Sequence, residues 1–280
     1  MVLLGYRDHN VHELVCHEIA KRAGYYDGLG IEVEAVPGSD HPEAALSAGL
    51  GGSLVEALRG QRRWKVALVH TLHPLFWIWT RDPETRSTGP TVLAGHPKGS
   101  IVGAFTQRVL RARWSADEDP SVLHFPAGRA GDHQRLEALT SGVADAAVLG
   151  SAFAPSALSR LGLTDSLFFG VALKFPTAGI AVDVARTSVD HPSVRKVVAA
   201  QTAAIAKVRS RDPVALDAVA SLLHDSSRTD AQRLLADYLS PQYGPAPRDV
   251  HAAGADALEW LAVALNTGGH TAADFYEAVR

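Results

Sequence analysis

The sequence contains a single cysteine, Cys16, so no disulfide can form within the chain. It has no apolar run approaching the roughly 18 residues of a membrane-spanning helix, and no membrane insertion is expected. It also lacks an excess of one charge. The 27 Lys and Arg against 30 Asp and Glu leave a formal net charge of −3. Nucleic-acid and anionic-membrane surfaces need a clustered basic excess. The densest basic cluster here, Arg59, Arg62, Arg63 and Lys65, is short and reads as a solvated turn. Met1-Val2-Leu3-Leu4-Gly5 has no basic region, long apolar stretch or small-residue cleavage site. The expected location is therefore cytoplasmic, or periplasmic or extracellular if a leader has been removed. There is no internal repeat, no nucleotide-binding glycine fingerprint and no G-x-S-x-G elbow. No cofactor is expected and no metal ligand set is assigned.

What is present is an ordinary globular composition. Of 280 residues, 46% are hydrophobic and 20% charged, enough to bury one large core or two medium ones. The pattern alternates strand and helix. Val2 to Tyr6 reads as a buried strand and Val11 to Ala23 as a helix. Ile31 to Val36 reads as a half-buried strand and Pro42 to Leu58 as a glycine-interrupted helix. Lys65 to His70 and Leu75 to Thr80 read as strands. The polar stretch Arg81 to Pro90 reads as a crossover, and a second strand–helix series follows to Leu149. Phe175 to Val184 reads as a returning segment and His191 onward as helices. Alternation of this kind predicts mostly parallel sheets flanked by helices. The fold class is α/β with two lobes: residues 1–81 and 177–280 form the first, and residues 82–176 form an inserted second.

Three segments carry a resemblance. The first runs from Gly5-Tyr6-Arg7-Asp8 through Gly24-Tyr25-Tyr26-Asp27-Gly28-Leu29-Gly30-Ile31-Glu32-Val33. The second is Arg135-Leu136-Glu137-Ala138-Leu139-Thr140-Ser141-Gly142-Val143-Ala144-Asp145-Ala146, and the third is His191-Pro192-Ser193-Val194-Arg195. Together they resemble the type 2 periplasmic-binding-protein superfamily, in the branch of sulfonate-, taurine- and nitrate-binding proteins and thiamine-pyrimidine synthases. The resemblance implies a substrate-binding protein with an interlobe cleft, and an ABC permease partner if the chain is exported. Some members of the fold are enzymes. Gly49-Leu50-Gly51-Gly52-Ser53 is similar to a glycine loop of aromatic sulfinate desulfinases, but their nucleophilic cysteine would fall near Asn10 or Val11, where this chain has none. The cysteine cluster of the pyrimidine synthases is also missing.

In open α/β sheets, ligands sit beyond the carboxyl ends of the strands. The densest polar run, Arg7-Asp8-His9-Asn10-Val11-His12, follows the first strand and opens the first helix. Backbone N–H groups there favour an anion, and Arg7 adds a bidentate contact. Asp8 or Asn10 also suits a simple cap. His9, His12 and Cys16 fall at helical spacing, although Cys16 also suits a small buried core residue. His70 and Thr71 end another strand; Trp77 and Trp79 read as core before ligand platform. Gly52, Ser53, Ser100, Arg129, Asp132, Ser151, Phe153 and Thr177 complete the expected cleft edge. Two functions stay open: binding of a small anionic or polar organic molecule, or a cytoplasmic lyase, decarboxylase, dehydratase or desulfinase-like enzyme. In the second, His9, His12 or His70 acts as acid or base, and Arg7 and Arg129 anchor the substrate.

Overall fold

The computed structural model describes residues 1–114, 120–267 and 274–279. The chain builds two five-stranded sheets. The first contains β1 (Val2–Tyr6), β2 (Val33–Pro37), β3 (Leu46–Gly49), β4 (Trp64–Thr71) and β10 (Ala178–Asp183), in the order β2-β1-β3-β10-β4. The second contains β5 (Phe76–Thr80), β6 (Val92–Gly95), β7 (Ser121–His124), β8 (Ala146–Gly150) and β9 (Thr164–Phe168), in the order β7-β6-β8-β5-β9. Each sheet has a parallel part and one strand that arrives from the other lobe. Strand β10 runs antiparallel between β3 and β4, and β5 runs antiparallel between β8 and β9.

This exchange moves the outward crossing. The sequence reading places it at 81–90 and keeps Leu75 to Thr80 with the first lobe. Hydrogen bonding instead puts Phe76–Thr80 in the second sheet, so the chain crosses at 72–75. It returns at 173–177, and the two crossings touch: Phe175 N–H donates to Leu72 O at 2.6 Å. The polarity of Arg81 to Pro90 reflects a solvent-facing excursion around the short helix α4 (Thr85–Thr88). The crossing segments hold buried apolar residues, Leu72, Leu75 and Phe175, because they run between packed layers.

Helices cover both sheets. In the first lobe α1 (Val11–Arg22) and α3 (Leu50–Leu58) follow strands and the short α2 (Tyr25–Gly28) follows α1; in the second, α5 (Ile101–Arg113), α6 (Gly128–Ser141), α7 (Pro155–Arg160) and α8 (Phe169–Ala172) follow strands. The expected helix from Pro42 is overturned at its start: Leu46–Gly49 is a strand. Leu46 and Ser47 lie mid-sheet between β1 and β10, where strand hydrogen bonds satisfy a fully buried backbone. Strand β9 is one the sequence reading leaves unassigned.

The C-terminal helices brace the lobes together. Helices α9 (Pro192–Arg209) and α10 (Pro213–Leu222) pack on α1, whereas α11 (Arg228–Leu234) packs on α7 of the second lobe. There Arg160 grips Asp230 with bonds of 2.5 and 2.7 Å. A π-helical turn (Leu235–Leu239) places Tyr238 edge-on to Trp77 and Phe168, and α12 (Pro247–Ala264) closes the far side. Trp77 and Trp79 are buried core residues, as their alternation predicts.

Candidate functional site

A cavity of about 270 Å³ lies between the lobes. The first lobe contributes Arg7, Asp8, His12, Glu13, Gly52 and Glu56 among others, and the second contributes Phe76, His96, Ser100 and Phe105. Three larger grooves lie elsewhere: those of about 720 and 810 Å³ are lined by first-lobe residues alone, and one of about 690 Å³ is lined by Leu72, His73 and Lys174 of the crossings and by C-terminal residues, with none of the second-lobe sheet. Only a cleft lined by both lobes can couple occupancy to their closure, so the interlobe cavity is the candidate site.

Its first-lobe wall is the turn from β1 into α1. Asn10 is the N-cap: its backbone is extended and its side-chain oxygen accepts the Glu13 N–H at 3.0 Å. Asp8 therefore does not cap this helix. The Leu14 N–H goes to Asn10 O, and the His12 N–H goes to Ser151 Oγ of the other lobe at 2.9 Å. The Arg7 N–H donates to the Glu13 carboxylate at 2.8 Å. The turn expected to offer N–H groups to an anion has thus spent these four on the chain itself.

The Arg7 side chain is similarly engaged. Its guanidinium forms an ion pair with Glu56, whose second carboxylate oxygen accepts the Trp64 indole N–H at 2.8 Å. Glycines make room for it. A Cβ on Gly52 would stand 2.9 Å from Arg7 Nε, and one on Gly49 would stand 3.0 Å from both Glu13 carboxylate oxygens.

Burial sets the protonation states. Glu13 is pushed up to about 8, by burial first and by the neighbouring Asp8 second, so it holds a proton near neutral pH. Asp8 is raised by burial, against Arg135, the Gly128 N–H and Arg7, which pull it down. His12 is lowered to about 3 by burial and by His70, and burial holds His96 well below its usual range. Both imidazoles are neutral at pH 7. The Phe76 ring lies between them, edge-on to each, with centroids 6.3 Å from His12 and 5.5 Å from His96.

The residues expected from sequence divide three ways. Arg7, Asp8, His12, Gly52, Ser100 and Thr177 line the cavity. Ser100 caps α5 by accepting the Gly103 N–H, and Thr177 meets the His12 ring through its hydroxyl. A second set lies beneath or around the cavity. Asn10 and Ser151 support α1. Ser53 donates to Gly49 O at 3.0 Å, and Thr71 accepts the His73 N–H at 3.1 Å. His70 is fully buried, bonded to Gln201 at 2.8 Å and lowered to about 4 by burial. Asp132 pairs with the fully buried Arg135. Phe153 packs edge-on to His133 and His224.

The third set stands apart. His9 is exposed and its ring sits 5.6 Å from Tyr6, outside the cavity; Arg129 is exposed as well. The helical face of His9, His12 and Cys16 does not form, because His9 precedes the helix and Cys16 is sealed in the core, its thiol pushed up by burial. Among the described residues no group of three or more His, Cys, Asp or Glu is placed to hold a metal.

Glu13, Glu56, His96 and Phe105 line the cavity without being among the expected site residues, and Arg59, expected in a solvated turn, lines it too. His96 had a usable signal, since it directly follows β6 at a carboxyl end. Glu56 sits one helical turn beyond Gly52 and so shares its face.

Neither a protein-family model nor a curated sequence matches this chain. Solved structures do. The alkanesulfonate-binding protein SsuA from Xanthomonas axonopodis pv. citri, bound to MOPS, superposes with a TM-score of 0.73 at 14% identity, over 100% of this chain and 97% of that one. The chain has the type 2 periplasmic-binding-protein-like fold. A ligand-binding component of an ABC-type import system from Staphylococcus aureus is similar, with a TM-score of 0.71 at 12% identity over 98% of this chain and 95% of that one. So is the desulfurization enzyme DSZB, with 0.70 at 15% over 95% and 93%. In the present version of this fold Asn10 and Val11, the positions that the resemblance assigns to a desulfinase nucleophile, are the N-cap and first residue of α1.

Proposed function

We propose that this chain binds a small polar organic molecule in the interlobe cleft, with closure of the lobes around it. The carrying observation is a single cavity walled by both lobes and reached by both crossings, Phe76 just after one and Thr177 at the end of the other. Contacts that cross the cleft support closure: the His12 N–H to Ser151, and the Arg59 guanidinium to Gly99 O at 3.0 Å. The similarity to ABC-import binding components supports the same reading. Under it, an exported form of the chain hands its ligand to a membrane permease.

A second reading, an enzyme on this scaffold, draws on Glu13. A cavity-lining carboxyl that holds a proton to about 8 is a general acid at neutral pH. A cytoplasmic location would suit it.

Thermal-shift screening against acidic, neutral and basic small molecules, repeated on Val55→Trp to fill the cavity, tests the proposal. Stabilisation of wild type that disappears in the variant is the expected result. Stabilisation that survives in Val55→Trp places the site elsewhere. Mass analysis of each stabilising compound after incubation separates the readings, since a new product mass favours the enzyme.

A further inference from the structure

The ion pair of Arg160 and Asp230 is one attachment of the C-terminal brace to the second lobe. Another is His224, in the loop between α10 and α11. Its backbone N–H donates at 2.8 Å to the carbonyl of Ala152, which lies just after β8. Its ring meets the same region. It stands edge-on to Phe153 at 5.8 Å and stacks on His133 of α6 at 5.6 Å. The residue is only 6% exposed, and its Nε2 is buried with no hydrogen-bond partner.

These surroundings suit the neutral ring alone. Both nitrogens of a charged imidazole carry hydrogen. The Nε2–H would then be a buried donor with no acceptor, against the ring of Phe153, and leaving such a donor unpaired is costly. The charged and titratable neighbours add to that cost. Arg129 and His133 face the ring from α6 and His9 faces it from the β1–α1 turn, and all three oppose a positive charge there. Asp225, next in the chain, favours the charge but acts least. The segment of Ala152 and Phe153 brings no charge of its own. Burial first, then Arg129, His133 and His9, lower His224 to about 4.

The attachment beside it is insensitive to acid. Arg160 above all, with hydrogen bonds from Ser156 and Ser227, holds the Asp230 carboxyl well below the usual carboxylate range. Its ion pair therefore persists in the range where a freed histidine gains a proton.

We propose that His224 is a proton-operated latch between the C-terminal brace and the second lobe. With the ring neutral, the loop stays docked on Ala152 and Phe153. A proton on the ring releases the loop, while Arg160 and Asp230 keep the brace attached. The latch does not depend on what the cleft binds. A released His224 titrates near the ordinary histidine value and the docked one near 4, so the docked form is favoured above that ordinary value and loses ground as pH falls between the two.

Hydrogen exchange at the His224 amide, scaled to its intrinsic rate at each pH, tests this. Protection in wild type is expected to fall at least about tenfold from pH 7 to pH 5. That exchange is expected to respond little to low urea, because a local release exposes little surface. In His224→Phe, which keeps a ring but takes no proton, the amide of residue 224 is expected to hold its protection within about twofold. His224→Leu is the second variant should His224→Phe not fold, and the wild-type profile is read without either. Unchanged wild-type protection overturns the latch. An equal fall in the variant overturns it as well, by placing the proton on another group. A fall that is steeply urea-dependent marks general unfolding and also overturns it.

Discussion

The backbone N–H of His12 donates to Ser151 Oγ at 2.9 Å, joining the first turn of α1 in one lobe to the residue after β8 in the other. Both residues are buried, so the bond lies inside the contact between the lobes.

Replacing Ser151 with Ala leaves a buried N–H unpaired, at a cost of about 1–3 kcal/mol to the closed form. The expected outcome is a shift toward the open form. Small-angle scattering should show a larger radius of gyration, and amide exchange at His12 should quicken. An unchanged radius and unchanged exchange would show that the bond does not hold the lobes.

Gly52→Ala places a Cβ 2.9 Å from Arg7 Nε and 3.2 Å from Arg7 Cγ. The Arg7 side chain must move away from Glu56, while the helical backbone of α3 accepts Ala readily. The fold should persist with a loss of about 1 kcal/mol or less, and cleft binding should fall by more than stability does. Chemical denaturation beside a ligand titration separates the two effects.

Arg135 is fully buried, paired with Asp132, and donates to Val148 O at 3.0 Å and Pro126 O at 2.9 Å. Arg135→Met strands the Asp132 carboxyl and two carbonyls, for an expected loss of about 3–5 kcal/mol. Adding Asp132→Leu should recover part of it, because the Asp132 carboxyl is then no longer left without its partner. Urea midpoints of the single and double variants check the order.

Stability should peak slightly below neutral pH. His12, His17 and His70 are lowered to about 3, 4 and 4, each by burial first, so the unfolded chain takes up more protons as pH falls below their ordinary value. Their contribution is therefore present near neutrality and lost toward pH 4. Glu13 is raised to about 8, so the folded chain holds the extra proton, and its contribution is lost as pH rises toward 8. Unfolding free energies from pH 4 to 9 should rise and then decline. Glu13→Gln should flatten the alkaline side; an unaltered alkaline slope would mean that Glu13 is not its source.

Much of the architecture is legible along the chain, because local pattern and tertiary role agree there. Val2 to Tyr6 is uniformly apolar and is a central strand, and Asn10 before an apolar helical run is the cap its residue type predicts. Legibility fails where a segment's neighbours decide its state. Leu46–Gly49 carries a helical pattern and is a strand, because strands on both sides supply its hydrogen bonds. His9 and Arg129 have the chemistry of site residues and lie outside the cavity, since nothing in their spacing reports direction across the cleft.

The sequence by itself determined the alternation of strands and helices, the two-lobed α/β class and the polar β1–α1 turn at a strand's carboxyl end. Periodicity and capping are local, and they act before any long-range contact forms. Only the tertiary structure decided that β5 and β10 exchange lobes, which moves the outward crossing to 72–75. It alone paired Arg7 with Glu56 and brought Gly128 to Asp8. Those partners lie 49 and 120 residues apart (56 − 7 and 128 − 8), too far for any local pattern to couple them. Their meeting changes a turn that looks ready for an anion into one whose arginine is already paired with Glu56.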